Sequence, residues 1–88
     1  MTSRQTSLAA FDAIKESLGE RQFVVLRLLR RRGAMNNRMV ADELGWPINT
    51  VTPRMNELVK KGLVVPDHVG FCPVTGRKTE FWRSWRGE

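Results

Sequence analysis

One cysteine, Cys72, and one histidine, His68, are all that this 88-residue chain has of either. A lone cysteine excludes a disulfide within these residues, and a reduced intracellular setting is the expectation. Cys72 and His68 cannot complete a structural zinc site without carboxylate help, and no such cluster is evident, so neither metal nor cofactor is expected. The pair does not suggest an enzyme either, since no third orienting group or oxyanion-donating motif accompanies it. No apolar run approaches the roughly 18 residues needed to span a bilayer. The polar first residues do not resemble a signal peptide, and cytoplasmic placement without a membrane partner follows as an expectation. Acidic residues are also few, 9 against 15 Lys and Arg, for a net charge of +6. A small domain this basic favours a polyanionic partner, with nucleic acid the default. Hydrophobic content of 41% and charged content of 27% are ordinary values that argue against wholesale disorder. The length suits one modest core.

The stretch 36–65, NNRMVADELGWPINTVTPRMNELVKKGLVV, carries the densest pattern. Asn36 is placed to cap a helix through its side-chain oxygen. Met39 or Val40, with Ala41 and Leu44, supplies the apolar face of that helix. Gly45 ends it in the left-handed conformation that glycine reaches without a Cβ clash. Trp46 and Pro47 form the turn, and a second helix starts near Ile48 with Val51, Met55 and Leu58 on one face. Pro53 is the anomaly, because a helix interior loses a hydrogen bond to proline and meets its ring. A single helix with a distorted first turn accommodates it, as does a cap at Asn49 or Thr50, or a start at Pro53 itself. Gly62 closes the helix.

Upstream, the spacing of Leu8, Phe11, Ile14 and Leu18 predicts a short helix over 7–17, interrupted by Gly19. A second run, 20–32, places Phe23, Leu26 and Leu29 together, with Val25 beside them, as a central core helix. Glu20 at its start and Arg30, Arg31 and Arg32 at its end suit the helix dipole. Ala34 and Met35 read as a brief edge strand. Downstream, 63–65 is a short β-branched strand, and 66–78 contains three turn signals, Pro66-Asp67, Gly70 and Thr75-Gly76. A second strand over 79–83 would pair with the first. Trp82 is expected to matter for the core, with Phe81 on the opposite face. The division expected is an N-terminal extension, 1–19, and a domain, 20–88.

Helix, brief strand, helix, turn, helix and hairpin is the order of a winged helix-turn-helix domain, mainly α with a small β-hairpin. NNRMVADELGW resembles its second helix, and PINTVTPRMNELVKKGLV its recognition helix and exit strand. Thr50-Val51, Leu58 and Lys60-Lys61-Gly62-Leu63-Val64 resemble the string found in MarR-type and related bacterial winged helices. CPVTGRKTEFW, 72–82, is similar to the wing of small winged-helix proteins of phages and prophages. Two prolines depart from the pattern: Pro47 stands where a small polar cap is usual, and Pro53 where a basic residue is common.

With Val51, Met55 and Leu58 inward, the 3.6-residue period turns Asn49, Pro53, Asn56 and Lys60 outward. Thr50, Arg54, Glu57 and Lys61 fall on the flank. Asn can bond adenine, and Arg guanine, in bidentate fashion. Thr50 and Thr52 suit phosphates or a thymine methyl, and Lys60 and Lys61 suit the backbone. Arg54 could instead pair with a nearby carboxylate, and Asn49 reads equally as a cap. The resemblance implies that Arg77 and Lys78, beside the Gly76 turn, form a basic wing tip. The expected partner is double-stranded DNA, and the expected role a small bacterial or phage transcriptional regulator that reads sequence. A homodimer through the N-terminal helix is as consistent with the pattern as burial of that helix in the monomer. The competing reading is a winged-helix module for protein interaction in a phage replication or recombination assembly.

Overall fold

A computed structural model describes residues 18–85. The expected helix over 7–17 lies outside them. Three helices, α1 (Glu20–Arg32), α2 (Asn37–Leu44) and α3 (Ile48–Lys60), precede an antiparallel hairpin of β1 (Val64–Phe71) and β2 (Lys78–Ser84). This is the architecture of a winged helix-turn-helix, mainly helical.

Each helix begins and ends where local chemistry allows. In α1, the Gln22 side chain reaches back to accept from the Gly19 N–H, 3.3 Å, while Arg30, Arg31 and Arg32 occupy the negative end of the dipole. Asn36 caps α2, its Oδ1 accepting from Met39 N at 2.8 Å, and Gly45 closes that helix at φ 68°. The turn into α3 is then two residues, Trp46 and Pro47. No side chain caps α3, and Asn49 lies inside it. Its first turn is tightened, with the Pro47 carbonyl accepting from Thr50 N at 3.0 Å and from Val51 N at 3.3 Å. Pro53 sits within the unbroken helix, on its exposed side, where its ring meets solvent rather than a neighbouring element. At the far end Gly62 N bonds Val59 O and Leu63 N bonds Leu58 O, each 3.0 Å, the paired closure that demands a left-handed residue; Gly62 supplies it at φ 75°.

One core unites the elements. Val25, Leu26, Leu28 and Leu29 of α1, Val40 and Ala41 of α2, and Val51, Met55 and Leu58 of α3 are buried together with Met35 and Val64. The inward face of α1 therefore differs from the expected set: Leu28 belongs to it, and Phe23 is only half-buried. Phe23 and Val24 border the exposed strip of Glu20, Arg27 and Arg31, which lies opposite the buried Val25, Leu26, Leu28 and Leu29.

The wing is longer than the turn signals implied. Pro66-Asp67 and Gly70 are not turns but lie within β1, which runs eight residues from Val64. The register explains how. Val64 pairs with Ser84, Val65 with Arg83 and Pro66 with Trp82, but His68 with Phe81, leaving Asp67 as an extra residue in a bulge. Pro66, which has no N–H to donate, borders that irregularity. Only 73–76 turns, with Gly76 N donating to Cys72 O and Cys72 N to Arg77 O, both 2.8 Å. Trp82 packs against the helical core, whereas Phe81 stacks on His68 with ring centroids 4.5 Å apart. The expected Ala34–Met35 strand is reduced to one bridge, in which Met35 and Trp82 exchange both backbone hydrogen bonds, 2.9 and 2.8 Å.

Leu58 is fully buried where α3 meets the core. Leu58→Ala should lower stability by about 3 kcal/mol. Urea unfolding followed by circular dichroism checks this: the midpoint falls with the slope unchanged, and an unmoved midpoint would contradict the packing described.

Candidate nucleic-acid interface

Burial along α3 sorts its residues into three strips. Val51, Met55 and Leu58 are buried. Asn49, Pro53, Asn56 and Lys60, spaced four, three and four residues apart, form an exposed outer ridge. The two flanks are half-buried and unlike each other. On one, Thr52 faces α2, accepting a long 3.4 Å bond from Asn37 Nδ2, and with Ile48 it walls a cleft toward the wing. On the other, Thr50, Arg54 and Glu57 face α1.

Arg54 is held in that second flank. Its Nε and Nη2 donate to the two oxygens of Glu57, each 2.8 Å, and Gln22 Nε2 of α1 donates to the same carboxylate at 2.7 Å. Two donors on one carboxylate hold it below its usual range, the Arg54 hydrogen bonds first and the Gln22 bond second, against a smaller opposing cost of desolvation. Donating to Glu57 likewise raises the Arg54 guanidinium above its usual value. Arg54 thus lies on the side of α3 away from the wing and starts out paired. That Glu57 stands three residues on was visible in the sequence; the reach of Gln22 from another helix was not.

The remaining predicted residues are placed differently. Lys60 is exposed at the C-terminal end of the ridge, and Lys61 follows it as the helix cap. Arg77 and Lys78 are exposed where the wing turns back, and Arg77 N donates to Thr75 Oγ1 at 3.2 Å. Among the described residues none of Lys60, Lys61, Arg77 and Lys78 lies within ion-pair distance of a carboxylate, although the Lys61 charge is felt by Glu57. Several other arginines are compensated: Arg32 by Glu43 at 2.7 Å, Arg38 by Asp42 at 3.6 Å and Arg83 by Asp67 at 3.4 Å. Uncompensated cations are therefore found at the end of the ridge and on the wing, and also on α1 at Arg21, Arg27 and Arg31.

Asn36, Asn37 and Cys72, which sequence reasoning did not place near the interface, line the cleft between α2, α3 and the wing, a space of about 380 Å³. The signal available for Asn36 was only its capping position.

A family model described as winged helix-turn-helix DNA-binding matches residues 18–65, which span the three helices and the start of β1. The chain belongs to that family. It is accordingly a DNA-binding domain, with α3 as the second helix of the helix-turn-helix and the hairpin as its wing. Comparison with curated proteins finds no match. No helix among the described residues is long and apolar enough to cross a membrane, and they contain no group of three or more side chains suited to a metal ion.

The Glu57 shift has a definite sign. A carboxyl held below its unfolded value contributes stability that is present above the unfolded pKa and is lost as pH falls through the lower folded value. The stability difference between the native chain and Glu57→Gln should therefore be constant near neutrality and shrink only under acid conditions, below the ordinary carboxylate range. Urea midpoints of both proteins across acid pH test this; a difference that stays constant throughout would show that the carboxylate charge is not what the two donors hold.

Proposed function

We propose that this domain reads double-stranded DNA in a sequence-dependent way, laying the outer ridge of α3 in the major groove, and that it acts as a small transcriptional regulator of bacterial or phage origin. The observation that carries the reading is the ridge itself: Asn49, Asn56 and Lys60 are exposed on one line of α3, with cations that no carboxylate compensates at its end and on the wing. Side-chain amides have the paired donor and acceptor that match adenine in the major groove. In this reading Asn49 and Asn56 contact base edges, with Thr50 and Thr52 on either side. Lys60, Lys61, Arg77 and Lys78 meet phosphates, which position the domain without reading sequence. Pro53 touches the groove only as an apolar surface. Arg54 takes part by leaving Glu57, so its contribution is a difference between two partners of similar geometry rather than a gain from a free cation.

A second reading, as a winged-helix module for a protein partner in phage replication or recombination, is favoured by the apolar side chains exposed on the wing. Val69 and Phe71 of β1 are 58% and 72% exposed. The two readings separate on the behaviour of duplex binding.

Fluorescence anisotropy with a preferred duplex and scrambled controls, over a salt series, is the test. Asn56→Ala should lose about 1–3 kcal/mol on the preferred sequence and little on the others. Lys60→Ala should weaken all duplexes alike and flatten the salt dependence by roughly one phosphate contact. Equal losses on every duplex for Asn56→Ala would remove its reading role. Salt-independent or absent binding by the folded native chain would turn the assignment toward the protein partner.

A further inference from the structure

The two faces of the wing are finished differently. Register partners on an antiparallel ribbon share a face, and successive residues alternate between faces. Val64, Pro66, Val69 and Phe71 of β1 therefore lie on one face with Ser84, Trp82, Glu80 and Lys78 of β2. At its root this face is held by the helices: Val64 and Ser84 are buried, and Trp82 packs on the helical core. The other face closes on itself, where His68 stacks on a buried Phe81 with Gly70 tight beside the pair. Only the distal part of the first face is left uncovered. Phe71 is 72% exposed, the most exposed large apolar side chain among the described residues, and Val69 precedes it on the same face. Single exposed apolar side chains are ordinary, but two neighbours near the end of a ribbon, with Val74 exposed in the turn beyond, form a patch.

The charges around the patch select what can cover it. Lys78 stands directly opposite Phe71 in the register, and Arg77 precedes it in the chain. Neither cation has a carboxylate within ion-pair distance among the described residues, and Glu80, opposite Val69, brings one negative charge to this face. Lys78, Glu80 and Trp82 of the same face share a cleft of about 380 Å³ with Ile48 and Thr52 in the first turns of α3. A polyanion lying along α3 is thereby brought to the patch. A duplex combines what this end of the wing is equipped to bind: phosphates for Arg77 and Lys78, and base steps that open to apolar side chains. The reach also fits. Lys78 lies four residues beyond Trp82, about 14 Å of strand. The groove next to the one that α3 would occupy is half a helical turn away, about 17 Å.

We infer that Phe71 is an apolar wedge that enters a base step from the minor groove and kinks the duplex, while Arg77 and Lys78 hold phosphates beside it. The inference rests on duplex binding through α3 and adds bending to it. Wedges of this kind partly unstack one step and bend the duplex by roughly 20–90°. The step entered must be one that opens at low cost, so the wing selects sequence through deformability: pyrimidine–purine steps yield, and adenine tracts resist. No side chain of the wing then needs to read a base edge.

The full chain is tested on duplexes of about 30 base pairs, chosen from a randomised pool for tightest binding and labelled at opposite ends with a fluorescent donor and acceptor. Anisotropy measures binding, and energy transfer the end-to-end distance. The result expected is a rise in transfer when the native chain saturates the duplex. Phe71→Ala should abolish that rise and weaken binding roughly tenfold, with the salt dependence unchanged because the phosphate contacts remain. Phe71→Leu, which keeps an apolar wedge, should retain the rise. Converting pyrimidine–purine steps to adenine tracts one at a time should, at one step, weaken the native chain and not Phe71→Ala. Because Phe71 is exposed, both variants should fold, as circular dichroism reports. A native chain that binds without a change in transfer would overturn the wedge and leave duplex binding by α3 standing. So would a Phe71→Ala chain that bends the duplex as the native one does. Absence of duplex binding by the folded native chain would overturn both and give the face to a protein partner.

Discussion

The two backbone hydrogen bonds between Met35 and Trp82 tie the hairpin to the helices, and the placement of the wing depends on them. Without that bridge the wing would be joined to the helical unit by the chain at Gly62, by side-chain packing and by the Trp85–Leu63 backbone bond. A two-stranded ribbon is marginal in water by itself, so the bridge and the packing of Trp82 do more than orient the hairpin. They give it a third partner. Met35 is followed at once by Asn36, the cap of α2, so one short segment sets both the position of the wing and the start of the helix-turn-helix.

The parts of this architecture that could be read from the sequence are those in which a single residue type answers a single local requirement. Asn36 as a cap, Gly45 and Gly62 as helix ends, and the 51-55-58 face of α3 all follow from backbone accounting or from the 3.6-residue period. The length of β1 does not follow from such rules. Pro66, Asp67 and Gly70 are each disfavoured in strands, and only pairing with a distant segment, in a register that isolates Asp67, makes them extended. The face of α1 was less legible, because the half-buried Phe23 and Val24 border the exposed strip of Glu20, Arg27 and Arg31 and blur its edges. At the interface, the outer ridge was legible from periodicity, while the double engagement of Glu57 by Arg54 and Gln22 required two helices to be brought together.

The interface is asymmetric about α3. Toward α1, Arg54 is paired with Glu57, although Arg21 beside them has no carboxylate within ion-pair distance among the described residues. Toward the wing, Arg77 and Lys78 are unpaired and a cleft separates the elements. The same cleft brings the cap of α2 and the base of the wing close to each other, which places two elements with separate roles in the fold within one electrostatic environment.

The extra residue at Asp67 has a consequence for how such a wing tolerates change in length. It shifts the alternation of side chains by one, so that His68 falls under Phe81, and Gly70 beside them has no room to spare: a Cβ there would lie 3.2 Å from His68 Cδ2. Deleting or inserting one residue between 66 and 71 would invert every side chain from there to the tip, exchanging the two faces of the ribbon. Between 73 and 76 no strand pairing is at stake. Lineages of this domain should therefore vary in wing length at the tip and keep the number of residues constant between the bridge and the turn.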